Sequence, residues 1–152
     1  MTAPDARTAA LHRLAPLLGE WSIEAVFPGA PPTGPAGRQV FERALDEQFV
    51  VGRTSVPHPD APDALWIIDA HADAYTSHYF DSRGVVRVYA MTFDDGLWTL
   101  SRTTPDFSPL PFSQRFRCVL TDDGRSIHGA WELSDDGTNW RHDFDLAYTK
   151  LG

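Results

Sequence analysis

From Glu20 to the last residues of the chain, apolar and polar side chains alternate with a period of two, whereas residues 5–18 carry Leu11, Leu14, Leu17 and Leu18 at helical spacing. A period of two places successive side chains on opposite faces of a strand, so nearly everything after residue 20 must form sheet with one buried face. The leading stretch reads as one short helix. Ala9, Ala10 and Ala15 lie between the leucines, Pro16 weakens the last turn, and Gly19 stands where a helix stops.

Turn chemistry cuts the remainder into strand-sized pieces. Asp94-Asp95-Gly96, Asp122-Asp123-Gly124 and Asp135-Asp136-Gly137 repeat one hairpin signal, and Asp81-Ser82-Arg83-Gly84 adds another reversal. The strands expected between them run over 20–27, 38–46, 48–56, 64–70, 74–80, 85–93, 97–103, 112–121, 126–133 and 138–149. About ten short strands are too many for one flat, half-wet sheet, and closure removes the exposed edges. The expected fold is all-β: a single antiparallel up-and-down β-barrel of about ten strands, with a helix over 5–18, the barrel over 20–149 and one domain over 1–152. Two proline-rich connections, 28–37 and 103–111, read as loops over an opening or an edge.

Alternation also assigns faces. On the last strand Trp140, His142, Phe144, Leu146 and Tyr148 share one side, while Arg141, Asp143, Asp145 and Thr149 share the other. The first set is expected to face inward, as are Ile127, Gly129, Trp131 and Leu133, and Phe112, Phe116, Cys118 and Leu120. Val85, Arg87, Tyr89, Met91 and Phe93 share a face that includes a charge. Because charges are rarely buried, the simpler expectation puts Arg87 outside or beside an acidic neighbour, with contact to an acidic ligand as the alternative.

The chain carries a family likeness at this point. A short helix running into Gly19-Glu20-Trp21 resembles the Gly-x-Trp opening of lipocalins and related calycin barrels, in which the Trp closes one end. The stretch from Leu14 to Trp21, the Asp-Gly turns, and Trp131-Glu132-Leu133-Ser134-Asp135-Asp136-Gly137 followed by Trp140 and Tyr148 look like a bacterial lipocalin-like family of unknown function. That resemblance implies the fold and no activity. Nitrobindins, haem proteins on a related barrel, take their proximal histidine from the final strand, and the likeness implies His142 as an axial ligand. Their Gly-x-Trp-x-Gly-x-Gly opening is matched only at its start, since Ile23 and Ala25 stand at the later glycine positions.

The expected function is binding of a small hydrophobic or aromatic molecule in the barrel, with Tyr89, Phe116, Trp131, Trp140, His142 and Phe144 as candidate pocket residues. A composition 42% hydrophobic and 12% aromatic makes an aromatic lining expected, with plain barrel filling as each ring's alternative role. A formal charge of -8 argues against nucleic acid and anionic membrane surfaces as partners. With a single cysteine, no long apolar run, and Pro4 and Asp5 where a secretion signal needs a basic start, the expected location is the cytoplasm. A homodimer is compatible with any sheet left open.

No catalytic or metal residue is assigned. Asp69, His71 and Asp73 would share a strand face, but their position suits a polar turn, and His78 reads similarly. An apolar setting disfavours the Cys118 thiolate, no serine sits in a nucleophile elbow, and no phosphate-binding glycine pattern occurs. The alternatives are a small-barrel enzyme, for instance one using His142 with Tyr89 or Asp143, and an interaction module holding no ligand.

Overall fold

A computed structural model describes residues 5–26, 28–29, 37–57, 61–71, 74–106 and 110–151. One helix, α1 (Ala6–Arg13), and a short 3-10 turn (Ala15–Leu17) precede ten strands. These are β1 (Gly19–Val26), β2 (Gly37–Ala44), β3 (Phe49–Ser55), β4 (Ala64–His71), β5 (Ala74–Asp81), β6 (Val86–Asp94), β7 (Leu97–Arg102), β8 (Ser113–Leu120), β9 (Ser126–Ser134) and β10 (Arg141–Leu151). Each pairs antiparallel with its sequence neighbour, and β10 returns to β1 to close the barrel. Of the two proline-rich connections, residues 30–36 and 107–109 lie outside the described residues.

The stretch expected as one helix over 5–18 divides, with α1 ending at Arg13 and the 3-10 turn carrying Leu17. The Asp5 carboxylate caps its first turn by accepting from Thr8 N at 2.7 Å, and Leu14 N closes back on Leu11 O before Pro16 opens the 3-10 turn. Its apolar face buries Ala10, Leu11, Leu14 and Leu17 across one end of the barrel. Side chains rather than strands hold it there. Tyr75 donates its hydroxyl to Ala10 O at 2.6 Å, Trp21 donates Nε1 to Leu17 O at 2.9 Å, and Lys150 donates Nζ to Leu18 O over the Trp21 ring. The Gly-x-Trp opening therefore places Trp21, fully buried, at the closed end.

Two details depart from the alternation reading. The β2–β3 reversal contains no glycine, yet Leu45, Asp46 and Glu47 have φ of 53°, 60° and 61°, a conformation costing L-residues roughly 1–2 kcal/mol each. Arg7 from α1 braces it, donating to Gln48 Oε1 at 2.7 Å and to Gln48 O at 2.6 Å. The second departure is a β-bulge. On β10 the register to β9 shifts between His142 and Phe144, so His142 opposes Glu132 while Phe144 opposes Trp131. The extra residue, Asp143, reverses the facing of everything before it.

Candidate functional site

The inward faces of the strands build an aromatic interior. Trp98 meets Phe116 edge-on at 4.7 Å between ring centroids, and Phe116 meets Trp131 at 5.1 Å. Trp131 meets Tyr89 at 5.6 Å, Tyr89 meets Trp66 at 5.6 Å, and Trp66 meets Tyr79 at 4.6 Å. Such pairs add roughly 0.5–1.5 kcal/mol each beyond the area they bury. Among the described residues they surround an interior cavity of about 20 Å³ lined by Gln39, Trp66, Ser77, Trp98, Trp131 and Tyr148. That is room for about one water molecule.

Two donors at this cavity have no partner. Gln39, 2% exposed, accepts at Oε1 from the Thr54 hydroxyl, but its Nε2 is unbonded, and so is Nε1 of Trp98, 5% exposed. Burial pushes the Tyr148 hydroxyl, also on the cavity, well above its ordinary pKa, so it remains protonated. Burial likewise pushes Cys118 up to about 12, leaving it no thiolate character.

The barrel end opposite α1 is polar. Arg102 reaches inward with its side chain 1% exposed and pairs with both oxygens of Asp106, at 2.8 and 3.0 Å. Asp106 Oδ2 also accepts from Val88 N at 2.8 Å. This contact stands where the β6–β7 ladder has stopped, its last rung being Ala90 with Ser101. Beyond that rung Arg87 faces inward with Tyr89. Tyr89 donates its hydroxyl to Gln114 Oε1 at 3.0 Å, and Arg87 Nη1 lies 3.4 Å from the same oxygen, its guanidinium 5.9 Å from the Phe112 ring centroid. The Tyr89 phenol is pushed up by burial, against the pull of Arg87 and Arg102. At Asp81 burial works to raise the pKa, but hydrogen bonds from Arg83 and Tyr79 prevail and hold it at about 2.

Of the residues expected in a pocket, Phe116 and Trp131 line the cavity, and Tyr89 packs against Trp131 and Trp66 above it. Phe144 is half-buried against the core without reaching the cavity. Trp140 and His142 do not face inward. Trp140 precedes β10 and packs under the Arg115 guanidinium at 4.2 Å, while Arg115 pairs with Glu132 on the outer surface. His142, its side chain 44% exposed, meets Asp145 Oδ1 at 2.8 Å. The bulge at Asp143 is the cause, since one added residue carries the preceding side chains to the other face. Arg87 corrects a further expectation, being neither outside nor beside an acid. Patterning did not single out Gln39, Trp66, Ser77 or Trp98, although the period of two that places Phe41, Ile68 and Leu100 inside places them there too.

The haem expectation does not fit these residues. Among the described residues no histidine faces the interior, and a cavity of about 20 Å³ is far below the roughly 300 Å³ of even a small organic-ligand pocket. The remaining acid and histidine candidates are elsewhere engaged. Asp69 accepts from Arg7 at 2.8 Å with His71 beside it, His78 is half-buried on the outer face, and Asp73 lies outside the described residues. Among the described residues no group of His, Cys, Asp or Glu is arranged to hold a metal ion, and no helix is long and apolar enough to cross a membrane.

No protein-family model matches the chain, and no curated protein matches it in sequence. Its fold is similar to that in the crystal structure of Rv2717c from M. tuberculosis, with a TM-score of 0.61 over 100% of both chains and 15% sequence identity. The likeness concerns the fold: a closed antiparallel barrel also found in a bacterial protein.

Proposed function

We propose that the barrel is a lipocalin-like binding protein for a small, flat organic molecule that bears a hydrogen-bond acceptor, admitted from the end opposite α1. The observation that carries this reading is the pair of buried, unpartnered donors, Gln39 Nε2 and Trp98 Nε1, on one aromatic cavity. An unmet buried donor costs roughly 1–3 kcal/mol, and folded proteins leave few of them. Two on a single cavity match a carbonyl or similar acceptor on a guest whose rings stack among Trp66, Trp98 and Trp131. The space present holds only about a water, so a guest enters as the rings nearest the open end turn aside.

Titration with acetylnaphthalene and with ethylnaphthalene, which lacks the acceptor, tests the reading through tryptophan fluorescence. Saturable quenching is expected with both, tighter for the ketone, and Trp98→Phe should remove the ketone's advantage. If no acceptor-bearing bicyclic compound quenches saturably or raises the melting temperature, the barrel is a filled structural module and the proposal fails.

A further inference from the structure

We infer that the guest is an organic anion, an aromatic carboxylate, whose charged group docks on Arg87 at the gap between β6 and β7; this rests on the binding reading above. Two of the arginines near the open end are matched by carboxylates. Asp81 is answered by Arg83 at 2.6 Å, and Arg102 by Asp106 at 2.8 and 3.0 Å. Arg87 has no carboxylate within ion-pair distance among the described residues; its polar contacts are neutral, the Gln114 amide oxygen at 3.4 Å and the Tyr89 hydroxyl beside it. An inward guanidinium met by neutral groups and no carboxylate is conspicuous in a chain whose formal charge is -8.

Position strengthens the charge argument. Arg87 lies beyond the last β6–β7 rung, Ala90 with Ser101, where the chain after Arg102 leaves β6. On that side β6 is joined to the chain after β7 by the Asp106 side chain, which accepts from Val88 N, and not by strand pairing. The neighbour of Arg87 on the same face, Tyr89, keeps its proton and can turn its hydroxyl from Gln114 to the same anion. Behind Tyr89 come the faces of Trp66 and Trp131, then the donors Gln39 Nε2 and Trp98 Nε1. A guanidinium presents paired N–H groups in the plane and spacing of a carboxylate, so the order of groups from outside inward describes a flat acid lying head outward, with a second acceptor at its inner end for Gln39 and Trp98.

6-Acetyl-2-naphthoate and its neutral carboxamide, hereafter naphthoate and naphthamide, separate the claims. Wild-type protein should bind naphthoate tighter than naphthamide by on the order of tenfold or more, the usual worth of a charge-assisted hydrogen bond. Arg87→Gln should abolish that preference, lowering naphthoate affinity by more than naphthamide affinity, and Arg53→Gln, on the outer face, should behave as wild type. Equal wild-type affinities, or a preference that survives in folded Arg87→Gln, would overturn the assignment while leaving the binding reading intact. If neither compound binds, the binding reading itself fails and the assignment with it. The wild-type comparison decides the matter even if the variant does not fold.

Discussion

Replacing Gln39 with methionine should make the empty barrel more stable and the binding site worse. The substitution keeps the length and flexibility of the side chain and removes its polar end. It relieves the unpartnered Nε2, a gain of roughly 1–3 kcal/mol, and loses the bond that Oε1 accepts from Thr54, a cost of about 0.5–1.5 kcal/mol. Thr54 is only half-buried, so water can recover part of that loss. The balance is a stabilisation of about 1 kcal/mol, read as a rise of roughly 2–4 °C in melting temperature for a chain of this size. Urea unfolding checks it independently: the midpoint should rise with an unchanged m-value. In the same variant the affinity for acetylnaphthalene should fall. A destabilisation beyond about 1 kcal/mol would mean that Nε2 is satisfied in solution, and the argument from orphaned donors would be lost.

Other consequences follow from single contacts. Gly129→Ala should be severely destabilising, by about 3 kcal/mol or more in a denaturant melt, because a Cβ there would sit 2.0 Å from the Arg117 carbonyl oxygen and no rotamer relieves a backbone clash. His142→Ala should change stability by less than about 1 kcal/mol and leave guest affinity untouched, since its Asp145 pair is on the outer surface; a lost binding signal would return His142 to the site. Asp81 has a folded pKa of about 2, below its unfolded value of about 3.8, so its contribution is complete above pH 4 and is lost as pH falls from about 4 toward 2. Asp81→Asn should flatten that acid limb in melts run across the same range.

Strand number, closure and the inward rings of β6, β8 and β9 follow from alternation alone, because each of these strands keeps its phase from end to end. Tyr89, Phe116 and Trp131 are therefore legible from the sequence. Trp140 and His142 are not, since nothing in Trp140-Arg141-His142-Asp143 marks a bulge: it contains no glycine, and the irregularity exists only in the pairing of β10 with β9. The β2–β3 reversal is legible near residue 47 from the strand bounds, but its backbone conformation is not. Leu45, Asp46 and Glu47 carry no turn signature, and their left-handed backbone is braced by Arg7, some forty residues earlier in the chain. Among the cavity residues, Gln39 falls on an apolar phase where a polar side chain is easily read as a flaw in the pattern. Its meaning depends on Trp98, whose nearness requires the barrel to be closed.

The two ends of the barrel are fastened differently, and this bears on how a guest enters. At the helix end, ties run from β1, β5 and β10 to backbone carbonyls of residues 10, 17 and 18, so opening there means displacing α1. At the other end the β6–β7 seam is held past its last rung by Asp106, which joins Arg102 to Val88 N. Removing Asp106 takes away its two hydrogen bonds with the buried Arg102 guanidinium and the one from Val88 N, at a cost of roughly 3–5 kcal/mol. Asp106→Ala should spend that cost locally, because the seam can part there without unfolding the ladders on either side. Hydrogen exchange at the Val88 amide should then accelerate by a hundredfold or more, a shift on the order of 3 kcal/mol, while the Trp21 and Tyr75 amides keep wild-type protection. Guest association should accelerate with it. Uniform loss of protection at both ends would show that the seam opens only when the whole barrel does, and entry between β6 and β7 would have to be abandoned.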